Sequence, residues 1–121
     1  MSWQEVATQL MKRHDTDPTR VRTLLEHAAV GLLARPAADT PAGQSALLVV
    51  DQAIAELDGL GIKAPRPELA ASDRVHVEDV SALLARAVRM LPACAGDVDA
   101  VLTYARTSVF VREALDLLND I

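Results

Sequence analysis

The chain has 121 residues, half of them hydrophobic, with 17 acidic against 12 basic side chains, a net charge of −5 and a pI near 5.0. That length suits a single domain, 1–121, able to bury roughly 65% of its unfolded surface around one core, and the hydrophobic content argues against intrinsic disorder. The acidic balance speaks against nucleic acid as a partner: a phosphate backbone needs a clustered basic face, and these arginines are scattered among carboxylates with only Trp3, Tyr104 and Phe110 for stacking.

Ser2 and Glu5 are spaced as a capping box that opens a first helix. Trp3, Val6, Ala7, Leu10 and His14 fall on its one face. Asp15-Thr16-Asp17-Pro18 breaks it and starts a second helix, with Asp17 as N-cap and Pro18 at the first helical position. Val21, Leu24, Leu25, Ala28 and Leu32 form the predicted buried stripe, which leaves His27 on the polar side. After a loop from Arg35 to Ala42, a third helix has two open starts, Thr40-Pro41 or Ser45. Its stripe is Leu47, Val50, Ile54 and Leu57, stopped by Gly59 and Gly61.

Lys63 to Arg74, with Pro65 and Pro67, reads as the longest connection, and no strand pattern of convincing length occurs. A fourth helix carries Val77, Val80, Leu84, Ala87, Val88 and Leu91 on one side, and Pro92 to Gly96 ends it. Asp97 caps a fifth. There Val98, Leu102, Ala105 and Val109 form one apolar stripe, and Val101, Tyr104, Val111, Leu115 and Leu118 a second. The expectation is an all-α, compact bundle of about five helices, largely antiparallel and roughly 70% helical.

A helix lining one side of a core needs a single stripe. The fifth has two, so it is central or it meets another molecule. Val101, Tyr104, Val111, Leu115 and Leu118 are the expected interface. The longest apolar run, Ala46 to Val50, is far short of a membrane span, and the N-terminus has no signal-peptide pattern. A lone cysteine, Cys94, precludes an internal disulfide. These features favour a soluble, cytoplasmic protein.

Motifs for chemistry are sparse. His76-Val77-Glu78 followed by Pro92 and Cys94 echoes a zinc deaminase signature but lacks the further thiolates that such a site needs. Asp73 and His76 have no second carboxylate–histidine pair for a di-metal centre, and no histidine is tied to Cys94 as a base. No catalytic residue, metal ligand or cofactor is assigned on these grounds. The charged candidates are Asp51 and Asp58, flanking the third helix's stripe, and Arg112 and Asp116, lying between the stripes of the fifth. Removed from water, such groups need partners. They read as structural ion pairs, a polar spot in a bundle cavity that a helical enzyme would use, or a register-setting contact between subunits.

Gly43-Gln44-Ser45-Ala46-Leu47, then Gly61-Ile62-Lys63-Ala64-Pro65, Leu69 and Val75 resemble helices two to four of acyl and peptidyl carrier proteins over residues 43–84. The resemblance implies a carrier-like or small-ligand role in biosynthesis, with phosphopantetheine on a serine. Ala46 stands at the position of that serine and Ser45 at that of the family's aspartate. Attachment would therefore need Ser45, one residue out of register. Against this stands the reading that the residues themselves favour: a non-enzymatic, acidic protein–protein interaction module forming a homo-oligomer, simplest as a homodimer, through its C-terminal helix.

Overall fold

A computed structural model of the chain describes residues 1–70 and 73–119; the expected Lys63–Arg74 connection lies within this range except at 71 and 72. Five helices carry it: α1 (Trp3–Met11), α2 (Pro18–Leu32), α3 (Pro41–Asp58), α4 (Val77–Met90) and α5 (Val98–Leu118). Single 3-10 turns, Ala37–Asp39 and Leu91–Ala93, precede α3 and follow α4. Helical residues make up 71% of the described chain, with no strand among them. The all-α bundle is as the periodicity requires.

The helix starts follow from side chains that satisfy otherwise orphaned N–H groups. The Ser2 hydroxyl accepts from the Glu5 amide, Asp17 from Thr19, Thr40 from Gly43 and Asp97 from Ala100, at 2.8–3.1 Å. Thr40-Pro41 is therefore the true start of α3. At the other end of α3, Gly61 adopts φ +75°, the left-handed conformation that glycine reaches at least cost. The first helix is shorter than its spacing suggested. It stops at Met11, because Lys12, Arg13 and His14 have no apolar surface to cover and are exposed. His14 instead lies in the following loop, with its Nδ1 3.0 Å from an Arg86 guanidinium nitrogen that also bonds the Arg13 carbonyl.

The central helix is α2. Every residue from Val21 to Leu32 except Thr23 is buried, so α2 meets neighbours on all sides: α1, α3 and α4 pack on it. Burial of Leu24, Leu25, Val30 and Leu32 contributes about 1.5–3 kcal/mol per side chain. The most extensive pairing is α3 against α5. Small residues make up half of the buried positions of α3 (Gly43, Ala46 and Ala53) and most of those of α5 (Ala100, Thr103, Thr107, Ser108 and Ala114). Small residues let helix axes approach closely. Thr107 satisfies its hydroxyl by donating to the Thr103 carbonyl at 2.8 Å.

Candidate functional site

The two stripes of α5 exchange the roles expected of them. Tyr104, Val111 and Leu118, expected at an interface, are buried in the core, and Leu115 is half-buried. Of the expected interface residues only Val101 is exposed. The other stripe faces outward: Val98 is 75% exposed, Leu102 52%, Val109 62% and Val101 52%. The core face was misassigned because Ala100, Thr103, Thr107, Ser108 and Ala114 supply most of it beside Tyr104, Val111 and Leu118, and those small residues carry little hydrophobic signal. Four of the larger aliphatic residues of the same helix, Val98, Val101, Leu102 and Val109, are on the outside.

Beside this crest runs a groove of about 480 Å³. Leu91, Pro92 and Cys94 form one wall, and Val101, Tyr104, Ala105, Ser108, Val109 and Arg112 of α5 form the other. The lining is mostly apolar, with three hydrogen-bonding groups. Tyr104 and Ser108 are 6% and 9% exposed, and neither hydroxyl has a partner among the described residues. Arg112, exposed at the groove's far end, joins no ion pair among them either. Cys94 is buried, with weak contacts from its thiol to the Thr16 and Met90 carbonyls. Burial, and to a lesser degree the charge of Asp17, pushes its pKa up, the opposite of what a nucleophilic thiol needs.

The four charged candidates are not brought together in one polar spot. Asp51 and Asp58 belong to a balanced cluster of three carboxylates and three cations that Arg112 and Asp116 do not join. Arg22 donates to Glu26 at 3.0 Å, to Asp58 at 2.6 Å and to the Ile62 carbonyl at 2.9 Å. Arg66 bridges Glu26 at 2.6 Å and Asp51 at 2.8 Å, and Lys63 reaches Asp58 at 2.9 Å. The hydrogen bonds from Arg22 and Lys63 hold Asp58 below its ordinary pKa. Arg66, with Glu26 as its strongest partner, is held even more firmly protonated. Every member is matched, so the cluster fastens the Lys63–Pro67 connection onto α2 and α3 rather than presenting a free charge. The proposed Arg112–Asp116 pair is absent among the described residues; both side chains extend into solvent. Arg22, Glu26 and Arg66 were missed, although Arg22 and Glu26 carry the i,i+4 spacing of a helical ion pair.

Ser45 is exposed in the second turn of α3, since that helix begins at Pro41 and not at a turn before Ser45. Ala46, the position that the carrier resemblance aligns with the modified serine, is wholly buried. His27 is also not on a solvated face: it is buried against Trp3. Among the described residues no group of three or more His, Cys, Asp and Glu side chains is placed to hold a metal ion, and no helix is long and apolar enough to cross a membrane. No known family, curated protein or solved structure matches this chain.

Proposed function

We propose that this chain is a protein–protein interaction module whose working surface is the crest of α5 and whose partner is a second copy. One observation carries the reading: Val98, Val101, Leu102 and Val109 lie more than half exposed on one face within twelve residues of a helix whose opposite face already fills the core. A contiguous outward aliphatic ridge marks an association surface, whereas scattered single exposures do not. The ridge suits its own image. An antiparallel crossing about Ala105 seats Leu102 of one copy beside Val109 of the other, with a small residue where the axes come closest. It also keeps the two Arg112 side chains at opposite ends, whereas a parallel pairing would oppose them, and it sets the helix dipoles head to tail.

The lone, buried thiol suits a cytoplasmic setting. Cross-linking tests the geometry. Ala105→Cys, in a Cys94→Ala background, is expected to form a covalent dimer rapidly under mild oxidation, because the crossing brings the two introduced thiols within disulfide reach. Gln52→Cys, equally exposed on α3, serves as the reference. Equal rates at the two positions would overturn the reading.

A further inference from the structure

We propose that the groove beside α5 is a binding site for a small aliphatic monocarboxylate. This goes beyond the association reading and does not rest on it; Val101, Ala105 and Val109 belong to both surfaces, so a ligand and a second copy would compete for them, whereas Val98 and Leu102 do not line the groove. Buried polar groups in folded proteins almost always have hydrogen-bond partners. The residues Tyr104 and Ser108 are nine-tenths buried, yet their hydroxyls bond no described residue and are left to the solvent of the groove. Both open on the same groove, and no fully enclosed polar side-chain atom of the described chain lacks a partner. Unused hydrogen-bonding capacity at the floor of an apolar groove is what a ligand site presents before its ligand arrives.

The positions along α5 set the ligand's shape. Ser108 and Arg112 are one turn apart, about 6 Å along the axis, and Tyr104 lies about 12 Å from Arg112. An anionic head at Arg112 and Ser108 would run its apolar body over Ala105 and Val101 against Leu91 and Pro92, ending near Tyr104. The charge of the head follows from its surroundings. A single guanidinium faces the groove, with Glu113 and Asp116 within the next turn of the same helix, in a chain of net charge −5. One negative charge is welcome there; a phosphate or polyanion would be repelled. A planar carboxylate also matches the forked donors of arginine.

The test uses the full chain with octanoate, and octanol as its neutral counterpart, followed by titration calorimetry and amide chemical shifts. Octanoate is expected to saturate a single site per chain, with shifts concentrated on the groove residues. Arg112→Gln is expected to weaken octanoate about tenfold, the loss of one charge-assisted hydrogen-bonded contact, and to leave octanol unchanged; Arg112→Lys recovers part of the loss. Ala105→Trp fills the groove from an exposed position and is expected to abolish binding of both. Leu102→Ser, which weakens association without touching the groove lining, is expected to bind octanoate at least as tightly as the natural chain, so that a failure of association and a failure of this site are read separately. No saturable binding, or octanoate affinity unchanged in both Arg112→Gln and Ala105→Trp, would overturn the proposal.

Discussion

Trp3 and His27 hold each other through both ring and backbone. The Trp3 indole N–H donates to the His27 carbonyl at 2.9 Å, and the His27 ring donates through Nε2 to the Trp3 carbonyl at 2.8 Å. The rings stack at a centroid distance of 4.7 Å, only 12° from parallel. A carbonyl only accepts, so His27 Nε2 carries the hydrogen. The pair fastens the short helix α1, which has few other contacts, onto the central α2.

Burial lowers the His27 pKa below its ordinary 6.5, outweighing the bond to Trp3, which acts to raise it. The unfolded chain therefore binds a proton that the folded chain resists. The stabilising difference is fully present above pH 6.5 and is lost as pH falls below it. Urea unfolding at pH 7.5 and pH 5.5 is expected to show a lower midpoint at the acidic value. His27→Gln, which retains a donor, is expected to shrink that difference; an equal drop in the variant would assign it to other groups.

Glu26 is the hub of the buried ion cluster, its side chain only 4% exposed between Arg22 and Arg66. Glu26→Ala removes the buried carboxylate that Arg22 and Arg66 share, leaving Arg22 with Asp58 and the Ile62 carbonyl, and is expected to cost about 2 kcal/mol. Arg66→Ala removes a half-exposed partner and leaves the Arg22–Glu26 pair intact, with an expected cost below about 1 kcal/mol. Chemical denaturation of the two variants ranks them directly.

The helix starts and the helix count were legible because caps and breakers act locally. Ser2, Asp17, Thr40 and Asp97 each do in the fold what their spacing implies. Which face of a helix is buried depends on its neighbours, and there the sequence misled in three places. In α2 a stripe was visible, but the helix is surrounded, so His27, Arg22 and Glu26 are also buried and must find partners there. In α5 the small residues of the core face were outweighed by the larger aliphatics of the exposed one. The partners of Asp51 and Asp58 come from α2 and the proline-containing connection, a proximity that exists only once the chain has folded. The groove was invisible for the same reason, since its walls are separated by a turn and meet only in three dimensions.

Close packing yields a further prediction at two helical glycines. A methyl group at Gly43 would overlap the Ala37 carbonyl, and one at Gly31 would sit 2.7 Å from Trp3 Cζ2 and 2.9 Å from Val80 Cγ2. Alanine favours a helix interior over glycine by about 1 kcal/mol, yet both substitutions are expected to destabilise, by about 1–3 kcal/mol net of that gain. Gly43→Ala should be the worse, because its obstacle is backbone. Thermal unfolding beside Ser45→Ala, an exposed control on α3, tests the order.

Cys94 is expected to react slowly with a thiol reagent at pH 8 in the folded protein, because burial both shields the sulfur and disfavours its thiolate. The rate should rise steeply across the urea transition. Fast labelling without denaturant would contradict the closed packing around the turn after α4.

Association through α5 is the claim on which the functional reading depends, and sedimentation equilibrium over a wide concentration range measures it most directly. The natural chain is expected to approach twice its 13.0 kDa mass, and Leu102→Ser to remain at the monomer mass under the same conditions with an unchanged helical spectrum. A natural chain that stays monomeric at the highest concentration, or a Leu102→Ser chain that dimerises equally well, would contradict it.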